Sequence, residues 1–206
     1  MFLSDLLPDL TMEVPNLTDV QGMRALGRAA RRFYSDTLLW QDRRTYSLAE
    51  GTTAIRLLLP VEDCTLKTVN RVYFEGEELS PITEQEYVSN LDAAYSDHPI
   101  GFIPSTDGLA LLVAPPPRVR QDNSYAVNAI YIPTIEADEL PLDMHSEFEP
   151  AYVAGALAYL YATGTFLNPA LADVNEGRYQ EYVIQAQSKR DRLYEGYAKT
   201  VSYGGL

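Results

Sequence analysis

Hydrophobic spacing changes period twice along the chain, and the two changes divide it into three parts. Up to about residue 40 the apolar positions recur at helical intervals. A short leucine-rich lead-in (Leu3, Leu6, Leu7, Leu10) carries Pro8, which argues against one long helix there. Thr18 and Gln21 have capping-box spacing, and Val20, Met23, Leu26, Ala30 and Phe33 follow as one apolar stripe. These predict a first long helix over Asp19–Ser35. Its opposite face carries Arg24, Arg28, Arg31 and Arg32.

Beyond Trp40 the period becomes that of strands. Thr45–Ala49 and Ala54–Leu59 read as strands around a turn at Glu50–Gly51, and Val69–Phe74 as a third that ends in the turn Glu75–Gly76. Thr83 and Glu86 form a second capping box, opening a short helix to about Leu91. Ile100–Ile103 and Leu109–Val113 flank a turn, Pro115–Pro117 stop any central strand, and Tyr125–Ile132 alternates cleanly. Near Pro141 the helical period returns. Glu149–Thr163 is a helix rich in Ala and Gly with Gly164 as its stop, and a last helix starts at Ala170 or Glu176 and runs to Ala198. Its stripe is Tyr179, Tyr182, Val183, Ala186, Leu193, Tyr194 and Tyr197, and Arg178–Glu181 and Arg192–Glu195 have pairing spacing on its polar face. The expected fold class is α+β: a helical bundle from residues 1–40 and 141–206, with an antiparallel β module, 41–140, inserted into it.

Charge narrows the partners. The 206 residues hold 16 Lys plus Arg against 29 Asp plus Glu, a formal net charge of −13. An acidic surface of this size repels phosphate, which excludes a general nucleic-acid grip and an anionic membrane surface. The opening residues have no basic region and carry Asp5 and Asp9, unlike a secretory signal, and the apolar run Ala151–Ala162 is too short to span a bilayer. The expected setting is a reducing cytoplasm.

Candidate chemistry is sparse. The single cysteine, Cys64, excludes an internal disulfide and a cysteine-based zinc site, and its acidic neighbour Asp63 would raise its pKa. His98 sits at a loop-to-strand junction. His145 lies in an acidic run from Glu136 to Glu149 that lacks the ligand spacing of a calcium loop. Gly22 and Gly27 fall inside the first helix and form no phosphate loop. No catalytic residue, metal ligand or cofactor site is assigned, and the chain is expected not to be an enzyme.

Fifteen tyrosines suit either an aromatic core or protein contacts. Candidate interface residues are the basic face Arg24, Arg28, Arg31 and Arg32, the helix tyrosines Tyr152 and Tyr159, and the terminal Tyr194, Tyr197, Tyr203 and Leu206. The basic face either meets an acidic face such as Glu136–Glu149 on a neighbouring subunit or neutralises acidic groups of its own chain. The terminal segment either frays or docks on a partner.

Four stretches together resemble one family. The helix Leu17–Trp40 has Phe33, Ser35, Thr37 and Trp40 at its end. Val69–Leu79 contains a strand, a turn and Gly76 before Leu79. Leu111–Pro117 is a strand followed by prolines. Ala151–Leu160 is followed by Phe166 and by Asn168–Ala172. In order and spacing, over residues 12–198, they resemble the head-to-tail adaptor (connector, head-completion) proteins of tailed bacteriophages. The resemblance implies a structural protein of the virion neck, assembled in the host cytoplasm. It implies a homo-oligomeric ring of twelve, with the portal protein on one side and the tail nozzle or tail tube on the other. Double-stranded DNA would pass through its channel without sequence-specific binding, and neither cofactor nor membrane is implied. Another virion ring or tail protein, such as a tail terminator, fits the composition as well; a small hydrolase fits it less.

Overall fold

A computed structural model of the protein describes residues 2–91, 98–105, 108–140 and 146–194. The chain separates into two compact units. One takes the chain up to Leu39 and again from Ile132; the other is Trp40–Tyr131. The fold is mixed α and β, with a seven-stranded sheet.

The helical unit opens with a 3-10 turn, Leu3–Leu6, running into α1 (Leu7–Glu13). Pro8 is accommodated in the first turn of α1, where its missing N–H has no helical partner to lose. Leu3, Leu10 and Val14 are buried. Next comes α2 (Asp19–Thr37), opened by the expected capping box: Gln21 N–H donates to Thr18 Oγ1 at 3.3 Å and Thr18 N–H donates to Gln21 Oε1 at 3.2 Å. The helix ends at Leu38, which adopts a left-handed φ of 53° and donates its N–H to Tyr34 O.

Chain return brings α4 (Glu149–Ala162) and α5 (Pro169–Tyr194), with α3 (Glu84–Leu91) lying in the other unit. Gly164, at φ 66°, follows the end of α4. Asn168 starts α5: its Oδ1 accepts from Leu171 N–H at 3.3 Å, with Pro169 as first helical residue. The small residues let the helices close. A Cβ built on Gly155 of α4 would stand 3.1 Å from Ala29 Cβ of α2 and 3.0 Å from the Tyr179 ring of α5. Phe33 fills the centre, its ring 5.3 Å from Tyr152, 5.2 Å from Phe148 and 6.4 Å from Tyr179.

Two stripe assignments need correction. Val20 is 78% exposed, because it stands in register with Arg24 and Arg28 on the outward side of α2, and the buried face is instead Ala25, Leu26, Ala29, Ala30, Phe33 and Tyr34. On α5, Tyr179, Val183 and Ala186 are buried but Leu193 is 53% exposed. Among the described residues no ion pair joins Arg178 to Glu181. The Arg192–Glu195 spacing and the end of the last helix beyond Tyr194 lie outside the described residues.

The β unit contains β1 (Gln41–Leu48), β2 (Ala54–Arg56), β3 (Cys64–Phe74), β4 (Glu77–Pro81), α3 (Glu84–Leu91), β5 (Gly101–Pro104), β6 (Ala110–Ala114) and β7 (Gln121–Pro133), whose last two residues belong to the helical unit. The sheet order is β1-β7-β3-β4-β5-β6-β2. The ends of that order meet: Leu58 N–H, just after β2, donates to Tyr46 Oη of β1, and Tyr131 Oη of β7 donates to Leu58 O. The turn at Glu50–Gly51 therefore does not make a hairpin. β1 pairs with β7, Tyr46 opposite Tyr125, and β2 pairs with β6, Ile55 opposite Leu111.

Glu75 and Gly76 do make one, both at positive φ (49° and 92°), which matches the twist of a two-residue hairpin joining β3 to β4. β4 was not legible in the sequence because Glu77–Pro81 has no apolar alternation. The module is also not wholly antiparallel. β4 and β5 run parallel, Ser80 opposite Gly101, as the crossover through α3 permits.

The unit boundaries differ slightly from 40 and 141. Trp40 packs on Tyr131, ring centroids 6.2 Å apart, within the β unit. The segment after β7 belongs with the helices: Leu3 N–H donates to Asp138 O at 2.7 Å, and Arg31 donates to Pro133 O at 3.0 Å.

Candidate functional site

The basic face of α2 divides into used and unused charge. Arg32 makes a forked pair with Glu176 of α5 (2.8 and 2.6 Å), lies 3.5 Å from Asp36, and covers the Tyr179 ring at 4.4 Å. Arg31 is spent on the Pro133 carbonyl. Arg28 lies over the Tyr159 ring of α4 at 4.6 Å, and Arg24 is exposed. Among the described residues neither Arg24 nor Arg28 has a carboxylate partner. Part of the basic face thus neutralises acidic groups of its own chain, and its first half stays outward and positive.

The Arg32–Glu176 fork has a pH signature. Its hydrogen bond, against opposing burial and helped by Gln180, holds the Glu176 carboxyl below the usual carboxylate range. A lowered folded pKa contributes stability that is full above the unfolded value of about 4.3 and is lost as pH falls through the folded one. Both side chains are about two-fifths exposed, so solvent screening keeps the gain under about 1 kcal/mol. Glu176→Gln is expected to lower the urea midpoint slightly at neutral pH, with the difference from wild type vanishing in acid. A difference that grew in acid would contradict this assignment.

The tyrosines also divide. Tyr152 is fully buried; its hydroxyl donates to Tyr34 Oη at 3.2 Å, and burial holds both phenols above the ordinary value. It is core, and has no surface left for an outer contact. Tyr179 donates to Asp36 Oδ2 at 2.9 Å and is likewise internal. Tyr159 is 37% exposed beside Arg28. Tyr194 ends α5, while Tyr197, Tyr203 and Leu206 lie outside the described residues.

In the acidic run, Asp138 accepts from Ser4 N–H and Ser4 Oγ, tying down the 3-10 turn, and Glu147 pairs with Lys189. His145 lies outside the described residues. Among the described residues no three His, Cys, Asp or Glu side chains are grouped to hold a metal ion. His98 stacks edge-on against Phe74 at 5.6 Å.

Cys64 is buried with its thiol donating to Val61 O, and burial pushes its pKa up. It is expected to react with a thiol reagent at a rate limited by unfolding, giving one fast equivalent only in denaturant. A fast equivalent from the native protein would show an accessible thiolate.

A feature missed in the sequence is an open groove of about 500 Å³ on the helical unit, between α1, α4 and α5. Leu6, Val153 and Leu157 form its apolar floor. Asp9, Glu13 and Glu149 stand on its rim with a single cation, Arg178, and no ion pair joins them to a described residue. It brings together residues more than 130 positions apart, so no local pattern announced it. The β unit has a second, more apolar groove of about 440 Å³, lined by Leu66, Val69, Leu79, Phe102 and Leu111 with Lys67, Arg71 and Glu78.

No helix among the described residues is long and apolar enough to cross a membrane. No family model and no curated protein matches the chain.

Proposed function

We propose that this protein is a head-to-tail adaptor of a tailed virus: a structural ring subunit between portal and tail that retains packaged DNA and forms its exit channel. The observation that carries the reading is the arrangement of the chain. Helices from both ends of the sequence build one unit, and the whole β unit is spliced between them, which is the order the four resembling stretches imply. On this reading α2, α4 and α5 form a helical bundle and the sheet is its inserted module.

Charge supports the reading as well. A surface of net −13 does not hold the DNA that slides past it. Closed head-to-tail rings need two different, complementary patches on each subunit, and the helical unit carries an outward basic edge and an acidic groove. The ring joins the portal on one side and the tail nozzle or tube on the other, and makes or breaks no bond.

The test is to mix the purified protein with portal rings from the same particle and to measure mass and image the mixture. Twelve copies on one axial face of the portal are the expected result. A clean monomer throughout, with no portal binding, overturns the proposal.

A further inference from the structure

Met12 and Val20 are the two most exposed large apolar side chains among the described residues, at 83% and 78%. Each sits on one of two surfaces whose shapes and charges are opposite. Val20 heads a ridge on α2. Val20, Arg24 and Arg28 follow at i, i+4 and i+8, so they line one face over about 12 Å. Its two guanidinium groups have no carboxylate partner among the described residues. Met12 stands on the rim of the α1–α4–α5 groove, whose charged groups are three carboxylates and one guanidinium. The groove follows α4 from Glu149 to Leu157, again about 12 Å of helix.

The two surfaces lie on opposite sides of α4. Tyr152, Gly155 and Tyr159 face α2, through Phe33, Ala29 and Arg28. Val153 and Leu157 face the groove. Leu157 is two positions from both Gly155 and Tyr159, a rotation of about 200°. Among the described residues neither Arg24 nor Arg28 pairs with a groove carboxylate of its own subunit, so both surfaces are open to a second copy. A repeat that joins one side of a subunit to the other side of its neighbour is what a closed ring requires.

We propose that the Val20–Arg24–Arg28 ridge of one copy seats in the Asp9–Glu13–Glu149 groove of the next. Val20 then covers the apolar rim at Met12, and the arginines meet the carboxylates. Seating removes both exposed apolar side chains from water and pairs charges that each subunit leaves unpaired. The proposal names the lateral contact of the ring and rests on the ring reading above.

The experiment inverts one charge on each surface of the full chain. Arg24→Glu and Glu13→Arg change exposed residues, so circular dichroism and Tm should stay at wild-type values. Self-association is followed by sedimentation, alone and on portal rings. Each single variant should associate at least about 10-fold more weakly than wild type, and an equimolar mixture of the two should recover association, because alternating subunits restore opposite charges at every contact. Independently, mixing chains carrying Met12→Cys and Val20→Cys under mild oxidation should give the mixed disulfide in excess over like pairs.

Wild-type association indifferent to both inversions, or a mixture that fails to recover, overturns the surface while leaving the adaptor reading intact. So does an absence of the mixed disulfide. Charge-dependent association without portal binding keeps the surface and overturns the adaptor reading. A wild type that never associates, alone or on portal rings, overturns both.

Discussion

Phe33→Ala is expected to cost about 3–5 kcal/mol of folding stability, the range for emptying a fully buried aromatic site. Phe33 is wholly buried in α2, and its ring meets Tyr34, Phe148, Tyr152 and Tyr179, three of them edge-on. Those partners come from α2, the 3-10 turn Ser146–Phe148, α4 and α5, so no single neighbour can move in to refill the space. Domains of ordinary stability hold about 5–15 kcal/mol in total, so a loss of this size is a large share of the whole. A fall in the urea midpoint with little change in slope is the expected signature. A cost under about 1 kcal/mol would mean that the aromatic cluster is not the centre of the helical unit. Trp40, in the other unit, offers an internal probe: if the two units unfold separately, its fluorescence transition should move less than the far-ultraviolet signal of the helices.

The second large effect comes from a substitution that adds only a methyl group. A Cβ on Gly27 would lie 2.0 Å from the carbonyl oxygen of Ile135, a backbone atom that cannot swing aside. Gly27→Ala must push α2 away from the 134–137 segment, at a cost of about 3 kcal/mol by analogy with severe overpacking. The same substitution at Gly177 of α5 should do the reverse. A Cβ there meets nothing within 4 Å, and replacing an exposed glycine inside a helix gains about 0.5–1 kcal/mol. Thermal melts of the two variants should therefore shift in opposite directions. A Gly27→Ala protein as stable as wild type would contradict the close approach of α2 to Ile135.

These two positions show where reading the chain succeeds and where it stops. Phe33 was legible as core because it stands in register with Leu26 and Ala30 behind a capping box, and the box formed as its spacing required. Gly27 was legible only as a glycine that belongs to no phosphate loop. Its role depends on a carbonyl 108 residues away. The candidate site divides in the same manner. The row of arginines on α2 was visible from spacing, but which of them remain outward was not: Glu176, which holds Arg32, lies 144 residues on. Tyr152 and Tyr159 look alike in sequence, and burial separates them, one in the core and one at the edge beside Arg28.

The sequence by itself determined the local elements: both capping boxes, the Glu75–Gly76 hairpin, the proline stop after β6 and the break between α4 and α5. Each is set by neighbours within a few residues, through a side-chain cap, a left-handed φ or a missing N–H. It determined the net acidity too, which is a sum over residues. Tertiary structure alone decided the strand order, the parallel pairing of β4 with β5, the placing of the segment after β7 with the helices, and the α1–α4–α5 groove. Those features depend on which distant surfaces bury one another. Many pairings satisfy the same periodicity, and only packing of the whole chain selects among them.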